Sequence, residues 1–224
     1  MLFDMRFIVF DLDGTLLNTL EDIRASINYA RKAFDGEPIS LDDTKRYIGS
    51  GLRKALTSSI VEHGPRLENE DEEDLMFQLL MQYYRNHPSP NTVLYKGIPE
   101  LIATLKSHGY GLAILSNKAD DIVQKIWPNF FEEGTFDVIQ GKLPDYPLKP
   151  DKAVVDRLFD RLKCKKEDVA LIGDSEVDYK TAINSGLRYI IVNYGFRTKD
   201  TLLKQGIDSI DHVPSLDEIE ALWT

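Results

Sequence analysis

Phe7-Ile8-Val9-Phe10-Asp11-Leu12-Asp13-Gly14-Thr15 is the stretch that decides the fold. An apolar run with strong β-forming character leads straight into two carboxylates one residue apart, then a glycine and a hydroxyl. A short apolar run of this kind reads as a fully buried strand of a parallel sheet. In open α/β sheets ligands bind just beyond the carboxyl ends of such strands. Asp11 and Asp13 therefore fall where that architecture keeps its chemistry. Two like charges so close raise each other's pKa, and a bound cation would relieve the repulsion.

Composition narrows the partners. The 224 residues suffice for a sizeable core, and 42% hydrophobic with 29% charged residues is neither a disordered nor a fibrous balance. A net charge of −10 argues against nucleic acid or an anionic membrane as partner. An anionic substrate then has to be attracted locally, by a metal, a lysine or helix N-termini. The single cysteine, Cys164, excludes an intrachain disulfide framework and reads as an inert thiol suited to a reducing compartment. No stretch approaches the ~20 apolar residues of a membrane helix, and the first apolar run is too short for a signal peptide. The expectation is a soluble, cytoplasmic protein, monomer or homodimer.

Downstream of Thr15 the pattern turns helical. Leu20, Ile23, Ile27, Ala30 and Phe34 mark one helix face, with Thr19 as a hydroxyl cap and Glu21-Asp22 in the first turn. Further helices are expected over 40–47, 52–63 and from the acidic run Glu68–Asp74 to Asn86, before the proline-rich break at 87–91. The acidic run reads as a solvated helix start rather than a metal site. Strands and helices then alternate. Strands are expected at 111–115, 136–139, 168–172 and 189–192, with helices at 98–108, 119–127, 152–162, 176–184, near Leu202 and 215–223. That alternation implies a parallel sheet covered on both faces. The fold class is α/β, a Rossmann-like three-layer core (1–15 and 91–224) with an inserted all-helical domain (16–90).

Polar clusters end the buried strands: Asp11 with Asp13, Ser116 with Asn117, and Asp174 with Asp178, while Lys149 enters from a loop. Each alone is weak, since Asp and Ser suit turns and caps anyway. Together they place carboxylates, a hydroxyl and a lysine at one end of the sheet. Carboxylates without nearby Cys or His prefer hard cations, Mg²⁺ above all, which binds through one or two carboxylates plus phosphate oxygens. The lysine, the hydroxyl and helix N-termini suit the remaining phosphate oxygens. Phosphoryl transfer is the reaction class this set serves.

Asp11-Leu12-Asp13-Gly14-Thr15, Ser116-Asn117-Lys118, Lys149-Pro150 and Gly173-Asp174-Ser175-Glu176-Val177-Asp178 resemble the four ordered motifs of the haloacid-dehalogenase-like hydrolases. The resemblance implies that the helical insert is a cap domain. It implies that Asp11 is the nucleophile, forming an aspartyl-phosphate, and that Asp13 carries the proton to the leaving oxygen and from water. Mg²⁺ would be held by Asp11, the backbone carbonyl of Asp13 and Asp174. Phosphate would be bound by Ser116, Asn117 and Lys149, with Asp178 orienting a metal-bound water or Lys149. An acid at position 13 matches phosphatases and phosphomutases rather than dehalogenases. Tyr47-Ile48-Gly49-Ser50-Gly51-Leu52 and Tyr95-Lys96-Gly97-Ile98 are most similar to phosphoglycolate-phosphatase-type members.

The expected activity is Mg²⁺-dependent hydrolysis of a small-metabolite phosphomonoester. A β-phosphoglucomutase-like phosphomutase or a pyrophosphatase is the alternative, with a receiver-like signalling domain as the non-enzymatic one. A receiver is about half this length and lacks an acid two residues after the acceptor. Arg46, Gly49, Arg53 and Lys54 are the cap positions expected to meet the non-phosphate end of the substrate.

Overall fold

The computed structural model describes residues 5–224. The chain divides into two compact units, Met1–Asn18 with Leu94–Thr224, and Thr19–Val93. In chain order come β1 (Phe7–Phe10), β2 (Leu17–Asn18), α1 (Leu20–Lys32), α2 (Leu41–Tyr47), α3 (Leu52–His63) and α4 (Glu70–Asn86). They are followed by β3 (Val93–Leu94), α5 (Ile98–Ser107), β4 (Gly111–Ala119), α6 (Asp120–Ile126), β5 (Val138–Lys142) and α7 (Lys152–Leu162). The chain finishes with β6 (Val169–Gly173), α8 (Glu176–Ser185), β7 (Arg188–Ile191), α9 (Lys199–Leu203) and α10 (Leu216–Glu220).

The main sheet has the order β5-β4-β1-β6-β7, with every described strand pair parallel. β1 is central because its residues tolerate burial on both faces: Ile8, Val9 and Phe10 are fully buried. Burial of each stabilises by roughly 1.5–3 kcal/mol. Phe7 and Val9 join Ala113, Leu115, Val169 and Leu171 in a core cluster closed by Val154, Val155 and Leu158 of α7 and Ala182 of α8. Ile8 and Phe10, one residue out of phase, serve the opposite face. From β1 the chain builds β4 and β5 on one side, then crosses to build β6 and β7 on the other. That reversal leaves a crevice at the carboxyl end of β1, flanked by β4 and β6.

The structure differs from the sequence expectation at several elements: β5, for one, spans Val138–Lys142 rather than 136–139, and the helical unit spans Thr19–Val93 rather than 16–90. β4 continues past Leu115 to Ala119, because pairing with β5 resumes at Ala119↔Lys142 after an irregularity. The polar Ser116–Lys118 segment is thus strand, not turn. The two-residue strands β2 and β3 also form a separate sheet that no periodicity could reveal.

In the helical unit α1 packs on α2 and α4, and α3 packs on both as well. Thr19 caps α1 without a side-chain cap hydrogen bond, since its φ of −101° and ψ of 7° depart from the extended backbone that directs a capping hydroxyl. Ser40 and Asn69 do cap α2 and α4, and the acidic run supplies the first turn of α4. Arg31 is fully buried and acts as a staple. Its guanidinium donates to the carbonyls of Glu37, Ser59, His63 and Gly64 and to Ser59 Oγ. Asp22, also buried, accepts from Asn91 N, Asn91 Nδ2 and Thr92 Oγ1, which ties the returning segment to α1. Among the described residues no helix is long and apolar enough to cross a membrane.

Candidate active site

The first carboxylate sits one residue beyond β1, held by extension of the ladder: Asp11 N donates to Ile172 O at 2.9 Å. Its side chain is largely withdrawn from water, at 12% exposure. Lys149 Nζ lies 2.9 Å from Asp11 Oδ1 and 2.7 Å from Asp178 Oδ1, bridging the two acids. Burial pulls the Lys149 ammonium down, but Asp11 and Asp178 outweigh it and hold its pKa above the ordinary lysine value.

Asn117 determines where Lys149 stands. Its Oδ1 accepts from Lys149 N at 2.8 Å and its Nδ2 donates to Lys149 O at 3.1 Å. Asn117, expected among the phosphate ligands, thus uses its side-chain amide to clamp the backbone of the lysine. Asp178 is fixed as firmly. Its Oδ2 accepts from Ser175 Oγ and Ser175 N while Ser175 Oγ accepts from Asp178 N, a capping box that starts α8.

Asp174, at the end of β6, is wedged between two glycines. A Cβ on Gly14 would stand 2.3 Å from Asp174 Oδ2, and one on Gly195 2.5 Å from the same oxygen and 2.1 Å from Gly14 O. Phe196 N donates to that oxygen at 2.6 Å. The adjoining Arg197 is matched by Glu176, at 2.8 Å from Nε. The loop after β7 is therefore strapped to α8 while its backbone holds the carboxylate.

Asp11, Asp174 and Asp178 present carboxylate oxygens that all lie within 4.8 Å of one another. Three buried acids against the single ammonium of Lys149 leave an excess of negative charge. Burial is the largest influence on Asp11; Lys149 opposes it, the Asp178 charge adds to it, and the pKa is pushed up to about 7. Asp174 is raised well above the carboxylate range, by burial first and then by Asp178 and Asp11. An all-oxygen donor set carrying uncompensated negative charge fits a hard divalent cation, so this cluster can hold a metal ion.

Asp13 lies in the tight turn after β1, where Gly14 N donates to Leu17 O and Leu17 N to Leu12 O. Lys118 Nζ grips both its oxygens, at 2.7 and 2.9 Å. Ser116 is buried on β4, its Oγ accepting from Lys118 N at 3.2 Å. The motif Ser116-Asn117-Lys118 gives Lys118 no role by itself; a lysine two residues after Ser116 points at Asp13 only once β4 is seen to continue to Ala119. Gly195, Phe196 and Arg197 were missed altogether, because they act through a missing Cβ, a backbone N–H and a strap.

Of the expected cap residues, Arg46 and Arg53 are engaged within the helical unit. Arg46 pairs with Asp43 at 2.6 Å and Glu62 at 3.0 Å. Arg53 pairs with Asp74 at 2.7 Å and lies over the Phe77 ring, 4.1 Å from its centroid. Lys54 is exposed. Gly49 and Gly51 take φ of +122° and +89°, conformations that suit glycine alone.

The profile of the haloacid dehalogenase-like hydrolases matches residues 8–192. A phosphoglycolate phosphatase of Cereibacter sphaeroides is 32% identical over 192 residues, covering 85% of this chain and 86% of that one. One from Aquifex aeolicus is 29% identical over 192 residues, covering 86% of each. Among solved structures, a predicted phosphoglycolate phosphatase from Haemophilus somnus superposes with TM-score 0.80 at 28% identity, covering 94% of this chain and 95% of that one. A haloacid dehalogenase-like family hydrolase from Streptococcus pneumoniae shares the fold, with TM-score 0.82 at 24% identity over 99% of each chain. The chain belongs to the haloacid dehalogenase-like hydrolases, as a phosphatase of their phosphoglycolate-phosphatase-like subgroup.

Proposed function

We propose that the protein hydrolyses a small-metabolite phosphomonoester, with phosphoglycolate as the leading substrate, through an aspartyl-phosphate on Asp11. The observation that carries this reading is the buried Lys149 bridge between Asp11 and Asp178, at the chemistry end of the central strand and beside Asp174. The substrate class is supported by the relatives named phosphoglycolate phosphatase.

The residues divide the work. An Asp11 oxygen attacks phosphorus in line, the bond from phosphorus to the alcohol oxygen breaks, and Asp13 gives that oxygen its proton. Asp13 then takes a proton from water as the water oxygen attacks the phosphorus, and the bond to Asp11 breaks, releasing inorganic phosphate. Lys149 holds Asp11 and a phosphate oxygen, and Ser116 donates to another. Asp11, the Asp13 carbonyl and Asp174 would hold Mg²⁺, which supplies charge neutralisation between an anionic nucleophile and an anionic substrate. Asp178 fixes Lys149, and Asn117 fixes its backbone. The helical unit takes the part of the inserted cap domain.

The test is phosphate release from a panel that includes phosphoglycolate, p-nitrophenyl phosphate, a hexose 1-phosphate and pyrophosphate, with Mg²⁺ and with EDTA. Metal-dependent release with preference for phosphoglycolate supports the proposal. Isomerisation of the hexose phosphate with little free phosphate, or release unaffected by EDTA, would overturn it.

A further inference from the structure

Lys118 is buried, with its side chain 1% exposed, yet its partner Asp13 remains 19% exposed. Phosphate already has a buried cation in Lys149, so a second lysine is not needed for charge. Burying a lysine costs hydration and rotamer freedom. This one is spent on a carboxylate that stands in a turn rather than on a ladder. Its anchor is the opposite case: Lys118 belongs to β4, which pairs with β1 over Gly111–Ile114 and with β5 on both sides of the lysine, at Ala113–Leu115 and again at Ala119. The bidentate grip therefore transfers the rigidity of a central strand to the side chain of Asp13. A carboxylate offers about four acceptor sites, so a grip on one site per oxygen is compatible with a further contact to water or to a leaving oxygen.

We propose that Lys118 is a positioning residue for proton transfer by Asp13: held on β4, its ammonium fixes the carboxylate where it meets the leaving oxygen and the attacking water. The inference rests on the reading of Asp13 as the proton carrier. It has a consequence that a merely structural lysine would not share. Loss of Lys118 should hurt substrates in proportion to their need for a proton. The alkoxide of an alkyl phosphate needs one, whereas p-nitrophenolate leaves unaided.

The experiment measures kcat/KM, which reports the steps through alcohol release, for phosphoglycolate or another alkyl phosphate the wild type hydrolyses, and for p-nitrophenyl phosphate. Lys118→Met, Lys118→Arg and Asp13→Asn are compared with wild type, with thermal unfolding to establish folding. Lys118→Met should lower the alkyl phosphate value about 100-fold, within the range that acid–base catalysis contributes. Its p-nitrophenyl phosphate value should fall less than about tenfold. Lys118→Arg should recover part of the loss, and inhibition by inorganic phosphate should stay unchanged. Should Lys118→Met fail to fold, Lys118→Gln is read in the same way. Equal losses on both substrates, or no loss, would overturn the role of Lys118 if Asp13→Asn still shows the selective loss. If Asp13→Asn itself loses both activities equally, the proton-carrier reading fails and the inference fails with it.

Discussion

The ammonium of Lys149 stands 2.9 Å from the carboxylate of Asp11 in the interior of the fold. It faces a second acid, Asp178, at 2.7 Å, and its backbone is clamped by Asn117. Removing one member of a buried ion pair typically costs about 3–5 kcal/mol, because the other is left uncompensated. Lys149→Met should therefore destabilise the metal-free protein by roughly that amount, as measured by urea unfolding. It should also abolish phosphate release. Destabilisation below about 1 kcal/mol would mean that the bridge is dispensable to the fold.

The acid cluster makes stability depend jointly on pH and metal. Asp11 is raised from 3.8 to about 7, so between those values the folded metal-free protein binds more protons than the unfolded chain. Bound protons in excess in the folded state mean that stability falls as pH rises through that window. Asp174 contributes in the same direction. Mg²⁺ competes with those protons and should stabilise more at pH 8 than at pH 5. At a hundred times its Kd the ion should contribute about 2.7 kcal/mol at pH 8. For a chain of this size that raises Tm by roughly 5–10 °C. Equal shifts at the two pH values, read by differential scanning fluorimetry, would contradict the assignment of the cluster.

Gly195 tests whether the cradle around Asp174 matters to the metal. A methyl there would stand 2.1 Å from Gly14 O and 2.5 Å from Asp174 Oδ2, so backbone or carboxylate must move. Gly195→Ala should weaken Mg²⁺ binding about 10–100-fold, the range seen when groups that orient metal ligands are disturbed. Calorimetric titration reads this without relying on turnover. Unchanged affinity would show that the carboxylate tolerates displacement.

In the helical unit, the prediction concerns Arg31. Its five hydrogen bonds go to four carbonyls and one hydroxyl, and burial lowers its pKa. Arg31→Met leaves those buried acceptors unpaired and should cost about 3 kcal/mol or more. Lysine, which lacks the planar fork, should restore only part of that. Urea denaturation of both variants decides it.

The candidate site is legible where side-chain chemistry and strand ends coincide. Asp11, Asp174 and Asp178 follow buried apolar runs or open a helix, and they do meet at one end of the sheet. Lys149 is singled out by its motif, although nothing in the sequence says that Asn117 would clamp its backbone. Lys118 was hidden because a lysine after Ser-Asn looks like a turn residue until β4 is seen to run on to Ala119. Gly195 and Phe196 N were invisible because space and a backbone amide leave no trace in residue chemistry. Arg31 looks in sequence like any helix-surface cation, and only folding brings five acceptors to it, four of them distant in sequence. Arg46 and Arg53 make the reverse point. Their charges suggest substrate contacts, and what the sequence does not show is that each is paired with acids of its own unit.

The central claim is that Asp11 carries the phosphoryl group, and covalent trapping tests it most directly. The enzyme is quenched during turnover of phosphoglycolate with Mg²⁺, reduced with borohydride, digested and sequenced by mass spectrometry. An aspartyl-phosphate is reduced to homoserine, while an unmodified aspartate is not. Conversion at position 11, dependent on both substrate and Mg²⁺, is the predicted result. Conversion at Asp13, Asp174 or Asp178, or robust turnover by Asp11→Asn in a preparation free of deamidated and contaminating enzyme, would contradict it.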